Sequence, residues 1–399
     1  MLQWICDIPR NVVMNIKMNQ FRSNDNRTRN ENIKKPMQRI LQNKLKSLRK
    51  FLAKQILDKK SKSQKTLDIN QIKSVLFFRN DDKIGDMVVS TSLFREIKQK
   101  YPDIEIIVLC GKNNKEIIKY NKNIDKIYKL EKSFFKNLSI FKNLRKQNIS
   151  LAIDFYTFGL VFKPLLMLRI ISPKFLIGFY KNSYNVYDLS IDMNFFNKHI
   201  SKRYEYLLKI LKIENPDLKY DVILSEKEEK VAFDLISKYS AKYKIILHPF
   251  AASKHRSFDF DKLKELVNLL ERKIDCCVFV LCQEKDRKKI ESLQTDKACI
   301  ASFESVLESA ALVKYSDAVI SPDTSMVHIA TAFDKKTVAL YLDYSNVYEK
   351  INIIWGSNNL NAIQLSVDAK NKRAENDIKN IDNIDILNAL QNILRGQFR

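Results

Sequence analysis

The chain has 399 residues, 45% of them hydrophobic, with six cysteines and a formal net charge of +24. That length exceeds what one growing core holds, so two domains are expected. No apolar run reaches bilayer-spanning length, and the weak apolar stretch 1–14 is broken by Asp7, Pro9 and Arg10, which argues against a membrane span or secretory signal and for a cytoplasmic protein.

The charge is concentrated at the start, where residues 1–65 carry 17 lysines and arginines against 4 acids. Leu41, Leu45, Leu48 and Leu52 recur on one helical face among these cations, which predicts a basic amphipathic helix. Such a helix suits an anionic membrane surface, or equally a position against the protein body with its lysines in water. No RNP, zinc-finger or KH signature accompanies the charge, so nucleic acid is disfavoured as a partner. Part of the Lys, Asn and Ile excess runs through the whole chain and reads as compositional bias.

From Lys73 onward strand-like and helix-like patterns alternate. In order, the expected elements are a strand over 74–78, a helix over 86–100, a strand over 104–109, a strand over 151–154 and a helix over 202–211. After the charged stretch 224–230, read as a linker, come a strand at 244–248, a helix at 260–272, a strand at 276–281 and a helix at 303–313. A strand at 318–320, a helix at 326–333 and a strand at 337–340 follow; 368–380 is polar and loose, and 384–394 closes the chain as a helix. This alternation predicts parallel sheets covered by helices on both faces. Cys276, Cys277 and Cys282 lie in or beside one apolar run and Cys6, Cys110 and Cys299 are scattered; none has metal-ligand spacing, so buried reduced thiols and no metal site are expected.

Two segments carry the chemistry. Arg79-Asn80-Asp81-Asp82-Lys83-Ile84-Gly85-Asp86 and Ser321-Pro322-Asp323-Thr324-Ser325-Met326-Val327-His328 each follow an apolar strand and open a helix, a geometry that offers backbone N–H groups to phosphates. Two such loops in two halves predict a cleft between two domains. Gly85 is one of only six glycines, placed where close backbone approach matters. Asp86 stands in the first helical turn, where a carboxylate can take a proton from a hydroxyl; on spacing alone, capping the helix's positive end is the simpler role. No Gly-x-Gly-x-x-Gly follows a strand, which disfavours a dinucleotide-dependent oxidoreductase.

The pattern Arg79-x-Asp81-x-x-x-Gly85-Asp86, with Tyr101-Pro102 after the helix, and Ser321-x-Asp323-Thr324-x-x-x-His328-x-Ala330-x-Ala332 resembles the ADP-heptose:lipopolysaccharide heptosyltransferases of glycosyltransferase family 9. The likeness covers roughly residues 73–360, and the loop Leu247–Phe258 resembles the family's basic loop after the first donor-domain strand. The resemblance implies a GT-B fold: two Rossmann-like domains with parallel sheets facing a central cleft, here preceded by a basic helical extension. It divides the chain into an extension at 1–70, an acceptor domain at 71–225, a donor domain at 226–367 and a terminal segment at 368–399.

It also implies inversion at the anomeric carbon and no cofactor or obligatory metal, with a nucleotide sugar, ADP-heptose, as donor. The acceptor would be a lipid-linked core oligosaccharide at the inner membrane's cytoplasmic face. Residue by residue, Asp86 matches the general base, supported by the Gly85 turn, and Arg256, with Lys254 close by, matches the cation that meets the leaving diphosphate. Asp323, Thr324, Ser325 and His328 match the donor-binding helix start, with His328 placed to hydrogen-bond the donor or to pack beneath the loop. Phe250, Ser325 and Leu342-Asp343-Tyr344 stand where the family commonly has glycine or a Gly-Pro-Thr-like turn, which leaves open another nucleotide-sugar donor or a non-catalytic glycolipid-binding relative.

Overall fold

The computed structural model describes residues 47–48, 51–59, 66–156, 162–191, 197–342, 351–367 and 377–397. Short apolar runs make its strands. Those of the first sheet are β1 (Ser74–Arg79), β2 (Glu105–Cys110), β3 (Lys126–Lys129), β4 (Leu151–Asp154), β5 (Phe175–Phe179) and β6 (Leu189–Ile191). They pair in parallel in the order β3-β2-β1-β4-β5-β6, so the strand order reverses between β1 and β4. β7 (Tyr243–Leu247), β8 (Cys276–Cys282), β9 (Ala298–Ser302), β10 (Ala318–Pro322), β11 (Lys336–Leu342) and β12 (Ala362–Val367) form the second, also wholly parallel, in the order β12-β11-β10-β7-β8-β9. The central strands β1, β8 and β10 are buried along their whole length, as parallel strands covered on both faces must be.

Among the described residues the helices of two turns or more are α1 (Ile84–Lys100), α2 (Leu138–Lys146), α3 (Phe162–Ile171), α4 (Ile200–Ile210), α5 (Glu226–Ile236), α6 (Phe260–Lys273), α7 (Val306–Tyr315), α8 (Ser325–Ala332) and α9 (Asn383–Leu394). The chain thus forms two Rossmann-like α/β domains. By its internal contacts it divides into a unit of residues 1–81, 103–112 and 125–192, and a unit of residues 82–102, 113–124 and 193–399.

In the first unit, Leu76, Phe78, Ile107, Leu109, Phe141, Leu144 and Leu168 belong to one core. The end of the basic extension joins it: Leu57 is buried in that core and Leu52 packs partly against it. The anchorage is also polar, since Arg169 Nε donates to the Leu57 carbonyl at 2.7 Å and the Val186 N–H donates to Asp58 Oδ1 at 3.0 Å. Leu48 is exposed, and Leu41 and Leu45 lie outside the described residues. Among the described residues no helix is long and apolar enough to cross a membrane.

The second unit builds its core from Ile245, Leu247, Leu266, Val278, Val280, Ile320, Leu340, Ile386 and Leu390, among others. Helix α1 is tied into it by polar contacts along its length. Arg95 Nη1 reaches both carboxylate oxygens of Asp221 at 2.6 and 2.7 Å, Thr91 Oγ1 accepts the Asp221 N–H at 2.8 Å, and Tyr101 donates to the Leu211 carbonyl at 2.8 Å.

The stretch 224–230 is not a linker but the start of α5. Ser225 and Glu228 form a reciprocal capping box, with acids at 226, 228 and 229 favouring the helix's positive end. The charge run is that helix's capped first turn. Cys110, Cys276, Cys277, Cys282 and Cys299 are free and buried, and burial pushes the Cys276 and Cys282 thiols up to about 12 and about 11; Cys6 lies outside the described residues.

Candidate functional site

Residues 82–86 of the first loop singled out by the sequence lie in the second unit, where Gly85 meets the second loop's helix. Helix α8 starts where β10 ends, and Thr324 is its N-cap: Oγ1 accepts the Met326 N–H at 3.2 Å and lies 2.9 Å from Ser321 Oγ. His248, at the end of β7, sits 3.4 Å from Thr324 Oγ1 through Nδ1; burial lowers its pKa to about 4, so the ring is neutral near pH 7. Ser325 is the first helical residue and half-buried, leaving the N-terminal turn of α8 as a positive helix end.

Gly85 lies against this turn. A Cβ built on it would stand 2.7 Å from His328 Cδ2 and 3.4 Å from Ser325 Cα, so the glycine serves close approach of α1 to α8. The His328 ring is buried, with the rings of Tyr220 and Trp355 presented edge-on at 6.3 Å each. Burial, with a smaller contribution from His199, lowers the His328 pKa to about 3. This side chain is therefore a neutral packing element between the two helices, and its Nδ1 has no hydrogen-bond partner among the described residues. Asp86, next after Gly85, is 8% exposed in the first turn of α1, and Lys83 Nζ approaches its Oδ2 at 3.6 Å.

Arg256 ends the short helical turn 254–256 after β7. Its Nη1 donates to Asp323 Oδ2 at 2.7 Å and to the Asp323 carbonyl at 3.1 Å. The Asp323 carboxyl is raised above its ordinary value by burial, which Arg256 and then Lys83 oppose. Asp323 thus orders the loop by holding Arg256. Lys254 is exposed and makes no ion pair among the described residues. Phe250 packs partly into the second unit's core, Leu342 is buried at the end of β11, and Asp343 and Tyr344 lie outside the described residues. Among the described residues no group of three or more His, Cys, Asp or Glu side chains could hold a metal ion.

The sequence profile of glycosyltransferase family 9 (heptosyltransferase) matches residues 137–380, more than half of the chain. The chain belongs to this family. A relative from Escherichia coli K12, named "Putative lipopolysaccharide heptosyltransferase 4", is 28% identical over 305 residues, covering 75% of this chain and 82% of its own. Among solved structures, ADP-heptose lipopolysaccharide heptosyltransferase II of E. coli superposes with a TM-score of 0.65 at 17% identity, covering 81% of this chain and 99% of that one. E. coli heptosyltransferase WaaC with ADP gives 0.59 at 14% identity, with 80% and 99% covered. At such identities the structures speak for the fold, which is GT-B.

For a family 9 transferase, sequence reading left several neighbours of these loops unnoticed. Lys83 fell among the unassigned positions of the Gly-Asp motif, and His248 read as a strand end within the basic loop, with no role of its own. The first unit also holds a buried charged cluster at the C-terminal ends of its central strands. Asp154 Oδ2 accepts from Tyr187 at 2.6 Å, and Lys181, 1% exposed, lies 5.3 and 5.4 Å from the Tyr156 and Tyr187 ring centroids. Gly178 makes room for it, since a Cβ there would fall 2.6 Å from both Lys181 and Tyr187.

Proposed function

We propose that the chain transfers a heptose from ADP-heptose to the core oligosaccharide of a lipopolysaccharide or lipooligosaccharide, inverting the anomeric carbon without an obligatory metal. The observation that carries this reading is the close approach of Gly85 to His328 and Ser325, which sets the first turn of α1, where Asp86 stands, against the first turn of α8. A base and an anion-attracting helix end then serve one sugar. The relatives' names and the ADP held by WaaC support the donor and the acceptor class.

In the reaction, Asp86 accepts the proton of the acceptor hydroxyl as its oxygen attacks the anomeric carbon from the face opposite the diphosphate. The bond from that carbon to the diphosphate oxygen breaks, and its electron pair leaves with the nucleotide. The positive end of α8, the Thr324 and Ser325 hydroxyls and Arg256, with Lys254 nearby, meet the charge that develops there. The work is done on the cytoplasmic face of the inner membrane, with the basic extension holding the anionic surface near the lipid-linked acceptor.

Incubating the full chain with ADP-heptose and truncated cores should add one heptosyl mass to the acceptor and release ADP. Asp86→Asn should leave ADP affinity intact and cut turnover by about a hundredfold or more. Transfer from a different nucleotide sugar alone would overturn the donor assignment. Near-normal turnover in folded Asp86→Asn would overturn the base.

A further inference from the structure

Lys83 occupies the N-cap position of α1 with an extended backbone, φ −92° and ψ 120°, yet its side chain makes no capping hydrogen bond. It reaches to Asp86 instead, at 3.6 Å, and remains 68% exposed. Its charge also bears on Asp323. Four charges therefore gather at the start of α8, and they are matched in pairs: Lys83 with Asp86, Arg256 with Asp323.

A diphosphate arriving at this helix end brings more negative charge, while both of these cations are already engaged with carboxylates. They are not equally free to turn. Arg256 is fixed by bonds to the carboxylate and carbonyl of Asp323 and its side chain is 28% exposed. The contact of Lys83 with its carboxylate is long, its four-carbon stem is flexible and exposed, and its charge is compact, features that suit a change of partner.

We propose that Lys83 is a diphosphate-binding residue that exchanges partners: paired with Asp86 in the free protein, its ammonium moves to the diphosphate oxygens when the donor binds. The exchange does two things. It adds a cation to the leaving group, and it removes from the Asp86 carboxylate the charge that weakens it as a proton acceptor. The base then gains strength only when a donor is in place. The charges at this helix start fit this role: Lys83 reaches Asp86 from the start of α1 and its charge also bears on Asp323 in the loop before α8, Arg256 from the loop after β7 holds Asp323, and the neutral His328 ring of α8 lies against Gly85. Lys83 carries charge and takes no part in bond making; the proton still passes to Asp86 and the electron pair to the departing diphosphate. The inference rests on the transferase reading above.

The test uses the full chain, with ADP and AMP as calorimetric probes and the pH dependence of kcat/KM for heptosyl transfer. Lys83→Met, which keeps the stem, should lose roughly tenfold in ADP affinity and less in AMP affinity. Its acid limb should move to higher pH, because a carboxylate without its cation protonates more readily. Lys83→Arg should restore most of both. The exposed position predicts wild-type melting temperatures for both variants, and Lys83→Gln serves if Lys83→Met fails to fold. Unchanged ADP affinity and an unmoved acid limb in a folded variant overturn the proposal and leave the transferase reading standing. A wild-type protein that binds no nucleoside diphosphate overturns both. Preference for UDP over ADP overturns only the donor assignment, and the same comparison made with UDP then decides the role of Lys83.

Discussion

Gly85→Ala tests the junction on which the proposed site depends. The substitution needs no unusual backbone, and in an ordinary helix an alanine stabilises relative to glycine by about 1 kcal/mol. Here the new Cβ would stand 2.7 Å from His328 Cδ2, in a ring enclosed by Tyr220 and Trp355. To reach an ordinary separation of about 3.4 Å the ring or α1 must retreat by roughly 0.7 Å, an overpacking that costs about 1–3 kcal/mol. The clash outweighs the propensity gain, so a net loss of about 1 kcal/mol is expected. Because Asp86 follows directly, the retreat also carries the carboxylate away, and misplacement on this scale lowers turnover by roughly tenfold to a hundredfold. Thermal melting and transfer kinetics read the two effects separately. The double variant Gly85→Ala/His328→Ala should show positive coupling, since removing the ring removes the clash. Raised stability with unchanged turnover in Gly85→Ala would refute the close approach.

Arg256→Ala should weaken ADP binding and also leave the buried Asp323 carboxylate without its partner. The carboxyl's pKa, already raised by burial, then rises further, so the variant's stability deficit should grow with increasing pH and shrink toward acid as the group protonates; an equal deficit in melts at pH 5 and pH 8 contradicts this. His199, His248 and His328 have pKa values depressed to about 4, 4 and 3. The unfolded chain binds protons at these sites first, so stability should be lost as pH falls from about 6.5, by up to about 1.4 kcal/mol per pH unit for each histidine. Denaturant melts of His248→Gln should show a shallower acid slope than wild type, and an identical slope argues against a buried neutral ring. Removing residues 1–46, which leaves Leu52, Leu57 and Asp58 in their contacts, should preserve ADP binding and abolish salt-sensitive binding to anionic vesicles; retained vesicle binding rules out the membrane role of the arm.

Much of the architecture is legible in the residues because buried parallel strands are nearly continuous apolar runs, as in Cys276–Cys282 and Ser74–Arg79. Five strands escaped: Lys126–Lys129, Leu189–Ile191 and Ala362–Val367 are edge strands in which half-buried or exposed residues predominate and periodicity has little to grip, while Phe175–Phe179 and Ala298–Ser302 are largely buried runs that went unread. The charged run that opens α5 reads as a linker because a capping box and a solvated linker share the same residue types, and only the spacing of Ser225 to Glu228 separates them. Both site motifs could be found in the chain; their meeting could not, since Gly85 and His328 are 243 positions apart and no local rule pairs them. Lys181 shows the converse limit. Among 70 lysines and arginines nothing marks it as buried, save a nearby glycine in a chain that has few.

Cys110, Cys276, Cys277, Cys282 and Cys299 are shielded from alkylating reagents in the folded protein, since burial raises the Cys276 and Cys282 thiols and a thiol must be both exposed and ionised to react. Cys276, Cys277 and Cys282 all stand on β8, beside β7 and β9 in the second sheet. A reagent can reach them only when that sheet opens. With Cys6 replaced, the rate of their modification becomes a native clock for opening of the second unit, slowed by whatever ligand that unit binds. Conversely, a single cysteine added at an exposed position such as Lys254 would be labelled alone, giving an optical reporter on the loop that carries Arg256 without altering the protein's interior.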